Sequence, residues 1–228
     1  MKGFASVQPD GPLYRLARAP DPWAWPDWVY AGLDGTFGNR WDDPLASYRV
    51  LYAFTRRIGA FVETLARFRP DLSVVAGLEA IDGDEEDVPS PGVVPLRWIE
   101  GRRIGRTTAT GKFVDIGDAY SLAMLRTHLA ARAIHYGLGE IDAATIRLGA
   151  PRRFTQEVSR LIYERHKDDG ECAGICYRLR LGDQFVNWAI FESPPDTGRE
   201  LPPTDSHEIK PYDPDLLEAL RLLNLALA

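Results

Sequence analysis

A hairpin does most to limit what this chain can become. Residues 174–180 and 185–191 are two β-rich apolar runs, and Gly182-Asp183 between them leaves room for little more than a tight turn. Strands joined that closely pair antiparallel, because a parallel pair needs a crossover of roughly a dozen residues or more. The sheet they start needs cover, and amphipathic helices that could supply it are legible elsewhere. Ile58, Phe61, Val62, Leu65 and Phe68 fall on one face at the helical period, with Pro70 closing the element. Leu122, Leu125, Leu129, Ala133 and Tyr136 mark a second helix, and Phe154, Val158, Leu161 and Ile162 a third. Asp213-Pro214 opens a last helix, residues 213–228, with a capping carboxylate and a proline in the first turn. Its Leu216, Leu217, Leu220, Leu223 and Leu227 stripe is expected to dock on the body.

Further strands are expected at 48–53, 96–99 and 112–116. Residues 1–34 mix Pro9, Pro12, Pro20, Pro22 and Pro26 with Trp23, Trp25 and Trp28. They predict an ordered but irregular wrap, since each indole brings apolar area that needs cover. The acidic stretch 82–87 and the proline-rich stretch 193–212 read as surface loops. Strands and helices interleave too irregularly for a repeated βαβ unit, and no composition shift divides the chain. The expected fold class is therefore α+β, one compact domain over residues 1–228.

Charge narrows the function. The chain carries 27 Lys+Arg against 33 Asp+Glu, a net of -6, which argues against bulk nucleic-acid binding. An anionic ligand must be met by locally clustered arginines. No leader-like segment and no apolar run of membrane-spanning length is visible, so a cytoplasmic protein without membrane contact is expected. Cys172 and Cys176 are too few for a disulfide framework. On a strand their even spacing puts them on one face as buried thiols, and with no second ligand pair no metal site is expected. Rossmann, P-loop, G-x-S-x-G and H-E-x-x-H motifs are all missing.

One stretch could carry chemistry. Arg40 lies in the Gly-rich turn 35–44, Tyr52 on a strand, and Glu63 on the flank of a helix beside Gly59. A guanidinium that can fork onto phosphate, an aromatic plane and a carboxylate could thus line one pocket. On spacing alone the plainer reading stands ahead of it: Arg40 and Glu63 as surface groups, Trp41 and Tyr52 as core.

The segment F-G-N-R-W-D-D-P…Y-R-V-L-Y-A…F-V-E-T-L-A-R-F-R-P, residues 37–70, resembles the RES domain. The likeness continues through residues 111–115, 155–160, 174–180 and 188–192. The resemblance implies an ADP-ribosyltransferase-like split β-sheet core flanked by helices. It implies cleavage of the nicotinamide–ribose bond of NAD+, by phosphorolysis or hydrolysis, as the toxin of a pair with an Xre-type helix-turn-helix antitoxin. NAD+ is then substrate and not cofactor, with inorganic phosphate as a co-substrate of the phosphorolytic route. Carried over, Glu63, Arg40 and Tyr52 match the family's pocket residues, and Tyr14 and Arg15 its N-terminal arginine motif. The family's G-I-x-Y-x-S-R pattern puts a serine at position 179, where this chain has Leu179; Arg180 is in place. Two alternatives follow: a protein ADP-ribosyltransferase, or an NAD-binding protein weakened by Leu179. A homodimer stays open.

Overall fold

The hairpin lies at the centre of the structure, a computed structural model that describes residues 3–79, 92–166, 172–192 and 205–228. In chain order the strands are β1 (Ser6–Val7), β2 (Leu13–Arg18), β3 (Val50–Phe54), β4 (Gly92–Val94), β5 (Arg102–Thr107), β6 (Lys112–Asp115), β7 (Cys172–Leu179), β8 (Gly182–Phe191), β9 (Asp205–Glu208) and β10 (Leu225–Leu227). The α-helices are α1 (Arg57–Leu65), α2 (Leu72–Glu79), α3 (Leu96–Glu100), α4 (Ala119–His135), α5 (Ala143–Leu148), α6 (Arg152–His166) and α7 (Pro214–Leu223). Eight strands form one sheet in the order β1-β6-β7-β8-β3-β2-β5-β9, antiparallel at every junction except β6–β7. β10 and β4 pair separately and in parallel. The fold is thus α+β, a mostly antiparallel sheet flanked by helices. Among the described residues no helix is long and apolar enough to cross a membrane.

Several elements depart from the sequence reading. Residues 96–99 are helical, not a strand: Pro95 sits in extended backbone at the N-cap, and four residues with three apolar side chains do not separate the two states. The strand comes one step later as β5, whose Arg102, Arg103 and Arg106 hide its alternation. The N-terminal wrap contains β2, which is bounded by Pro12 and Pro20 and lies inside the sheet. β9 falls within the stretch read as a proline-rich loop. Residues 193–204 of that loop, and the acidic stretch 82–87, lie outside the described residues. The last helix ends at Leu223, Leu217 is exposed, and Leu227 belongs to β10. The hairpin turn is Arg180-Leu181, with Leu179 opposite Gly182.

Strand alternation sorts the core. Along β3, Leu51 and Ala53 join one cluster with Leu13, Trp23, Cys176 and Trp188. Val50 and Tyr52 face the other way, into a cluster under α4 and α6. Phe54, on that same face, enters a different cluster under α1 and α7. One sheet face therefore carries two cores, and between them lies the buried Asn187, whose register partners are Phe54 of one core and Tyr177 of the other. The two cysteines do not share a face. Cys172 packs with the α4–α6 core and Cys176 with the opposite cluster, because the register slips one residue at Lys112/Phe113. Burial, with the charge of Asp115, pushes the Cys176 thiol up to about 12.

Candidate functional site

The turn that carries Arg40 is clamped from two elements, the strand that follows it and a helix more than 100 residues on. Tyr52 on β3 accepts a hydrogen bond from the Trp41 amide at 2.9 Å and donates its hydroxyl to Asp42 at 2.8 Å. Asp42 also accepts from the Asn39 amide and side chain at 2.7 and 2.8 Å. From α6, Gln156 donates to the Asn39 carbonyl at 3.1 Å, Ser159 to the Trp41 carbonyl at 2.6 Å and Arg160 to Asp43 at 3.0 Å. Burial pushes the Tyr52 hydroxyl well above its ordinary value, so it stays protonated and able to donate. Burial also raises the Asp42 carboxyl, although the Tyr52 and Asn39 bonds pull the other way.

So held, Arg40 lies across two aromatic faces, 5.0 Å from the Trp41 ring centroid and 5.2 Å from that of Tyr177. Its guanidinium donates to the Ile146 carbonyl at the end of α5. Gly149, the C-cap of α5, has φ 66°, and a Cβ there would stand 2.9 Å from Arg40 Nε. This glycine serves the backbone conformation and the room for Arg40 together.

Glu63 projects from α1 off the buried stripe of Ile58, Phe61, Val62 and Leu65. It is exposed to solvent, yet desolvation by surrounding protein raises its carboxyl above the ordinary value, against the charges of Arg40, Arg180 and Arg152. Three cations thus lie within electrostatic reach of one carboxylate: Arg40 from the turn, Arg180 from the β7–β8 hairpin and Arg152 from the start of α6.

The remaining expected residues stand further back. Arg15 donates Nε to the Pro22 carbonyl at 2.7 Å and Nη1 to the Tyr52 carbonyl at 2.9 Å. It does so where β2 meets β3 at a single register pair, Tyr14–Phe54, and the sheet nearly parts. Burial lowers the Arg15 pKa to about 10. The guanidinium thus props the backbone of Tyr52. Tyr14 is half-buried between Phe54 and Arg106. Leu179 is 1% exposed and packs with Ile58, Phe61 and Phe185, so its methyls fill core.

A cleft of about 210 Å³ opens beside Arg40, lined by Tyr177, Arg147, Arg178, Asp115 and Asp118 among others. Among the described residues no three His, Cys, Asp or Glu side chains gather as a metal site would require. Sequence reasoning missed Arg152, which looks like any surface arginine at a helix start. It also missed the clamping roles of Gln156, Ser159 and Arg160, although those residues fall in a segment that carries the family likeness.

The RES domain family model matches residues 12–213, most of the 228-residue chain. The chain belongs to the RES domain family. No curated protein and no solved structure shows a match to it.

Proposed function

We propose that the chain cleaves the nicotinamide–ribose bond of NAD+. The observation that carries this reading is the solvent-accessible carboxylate of Glu63 within electrostatic reach of Arg40, Arg180 and Arg152. NAD+ offers a matching charge pattern, a pyrophosphate for the arginines and a glycosidic carbon that gains positive charge as nicotinamide departs. Guanidinium groups suit the pyrophosphate because they fork onto its oxygens. Glu63 suits the ribose: its carboxylate accepts from ribose hydroxyls and stabilises the oxocarbenium-like transition state.

In this reading the C1′–N bond breaks and its electron pair neutralises the pyridinium nitrogen, so nicotinamide leaves without a general acid. Water or inorganic phosphate then forms the new C1′–O bond, and a proton from water passes to solvent. The toxin role implied by the family, with an Xre-type helix-turn-helix partner, is part of the proposal.

The test is to incubate the purified chain with NAD+, with and without phosphate, and to follow nicotinamide and the sugar product. Release of ADP-ribose or its 1″-phosphate supports the reading and separates hydrolysis from phosphorolysis. Label transferred onto protein would instead make it an ADP-ribosyltransferase. Bound NAD+ with no release would make it a binding protein.

A further inference from the structure

Buried polar atoms without a partner collect at one place in this molecule. Among the described residues five such side-chain atoms occur, and four of them belong to Arg40, Trp41 and Asn187. These three residues surround Tyr177. Trp41 meets its ring edge-on with centroids 5.4 Å apart, and Arg40 Cζ lies 5.2 Å from its centroid. Asn187 is its register partner across β7 and β8. Asn187 is the extreme case, with no exposed surface and neither Nδ2 nor Oδ1 hydrogen-bonded. A buried amide left in that state costs stability, and a folded protein keeps such a group where a site needs it.

The orientation of the pair is informative. Asn187 lies near enough to the Tyr177 hydroxyl to favour negative charge on it, although the two lack full hydrogen-bond geometry. Burial and the charge of Glu63 outweigh that effect, so the phenol stays protonated. The Tyr177 ring borders the cleft beside Arg40.

We propose that Tyr177 is a substrate-contacting residue of this site and that Asn187 is the positioning residue that aims its hydroxyl. The inference rests on the NAD+ reading above. With Asn187 Nδ2–H turned toward the phenol oxygen, the phenol O–H, on a side chain only 4% exposed, is left free to donate to a bound group. Glu63 nearby offers an acceptor. A donor beside an acceptor is the complement of a ribose hydroxyl, which gives its proton to the carboxylate and accepts from the phenol. The ligand class is a nucleotide with a free ribose hydroxyl.

Four proteins test this: wild type, Tyr177→Phe, Asn187→Leu and the double variant, compared by NAD+ titration calorimetry, nicotinamide release and thermal midpoint. Each single substitution is expected to lower turnover about tenfold, the scale of one hydrogen bond. The double variant should be no worse than Tyr177→Phe, because Asn187 acts through the phenol. Asn187→Leu should melt no lower than wild type, since it removes a buried amide that lacks a full set of hydrogen bonds. Losses that multiply in the double variant, or an Asn187→Leu protein of wild-type turnover, would overturn the positioning role. Full activity in Tyr177→Phe overturns the whole inference and leaves the NAD+ reading standing. A wild type that neither binds NAD+ nor releases nicotinamide overturns both. Should Asn187→Leu fail to fold, Asn187→Ser carries the same comparison.

Discussion

The Tyr52 hydroxyl, 2.8 Å from Asp42 Oδ1 and 2.9 Å from the Trp41 amide, ties the central sheet to the turn that presents Arg40. A tyrosine expected to wall a ligand is therefore also the anchor of the arginine beside it. Tyr52→Phe removes both bonds and leaves Asp42, 3% exposed, short of a donor. The expected cost is about 1–3 kcal/mol of stability. NAD+ affinity should fall as well, because Arg40 loses its fixed seat. Thermal unfolding and NAD+ titration check the two effects separately, and a variant with unchanged affinity would show that Arg40 is held without Tyr52.

Glu63 carries a pH signature. Its carboxyl is raised above the ordinary value, with desolvation as the leading cause. If the ionised form supports turnover, activity should fall on acidification at a pH above the usual carboxylate range. Stability runs the other way. A carboxyl with a raised pKa holds more protons folded than unfolded over that window, so its ionisation makes stability fall as pH rises. Glu63→Gln should thus cut turnover by orders of magnitude, abolish the acidic limb of whatever activity remains, and melt no lower than wild type at neutral pH. The pH–rate profiles of the two proteins, read beside their thermal midpoints, decide it.

Gly149 gives a prediction with its own control. Gly149→Ala places a methyl against Arg40 Nε and forces a left-handed backbone on alanine. The backbone term costs roughly 1–2 kcal/mol. Gly137 has a similar φ of 75° but nothing within 4 Å of its missing Cβ. Gly137→Ala should therefore lose stability while keeping NAD+ affinity, whereas Gly149→Ala loses both. Equal affinities in the two variants would remove Gly149 from the support of Arg40.

What the sequence showed, and what it hid, follows from range. The α1 stripe was legible because Ile58, Phe61, Val62 and Leu65 repeat within one element, and all four are buried. The α7 cap was legible for the same reason: Asp213 accepts from the amides of Asp215 and Leu216. The expected grouping of Arg40, Tyr52 and Glu63 rests on motif likeness, since no local pattern brings loop, strand and helix together. Its supports were not legible. Gln156 meets the Asn39 carbonyl from 117 positions away, and no local pattern announces a bond of that span. Plain alternation puts the two cysteines on one face, and only the β6–β7 register reveals the slip at Gly174 that separates them.

Arg57 fastens α1 to α7. It donates to Asp213 at 2.7 Å and to Asp215 at 2.8 Å, with a second bond to Asp213. Burial alone would raise the Asp213 carboxyl, but Arg57 and the two cap amides hold it below its ordinary value. A lowered folded pKa means the contribution is present above the unfolded pKa and lost as pH falls through the folded one. Arg57→Met should cost about 2 kcal/mol at neutral pH, the scale of a charge-assisted hydrogen bond. For a chain of this size that is roughly 4–8 °C in midpoint. The gap between variant and wild type should close in acid. A gap that persists under acid conditions would assign the loss to stacking of the Arg57 guanidinium over Phe61.

Leu179 is where family pattern and local packing pull apart. The pattern places a serine there, and a hydroxyl on an open pocket wall would strengthen binding. The side chain here is 1% exposed and packs among Ile58, Phe61 and Phe185, in the core under α1 and α7. Leu179→Ser would remove those contacts, leave a cavity and bury a hydroxyl. Truncating a buried leucine costs about 2–5 kcal/mol, and an unpaired hydroxyl adds to that. The expected result is a marked drop in midpoint with no gain in turnover per folded molecule. Leu179→Val, smaller by one methylene and still apolar, should lose much less. Thermal scans and nicotinamide release, measured well below the midpoint of each variant, distinguish packing from lost ligand contact. A serine variant that is both stable and faster than wild type would put position 179 in the pocket after all.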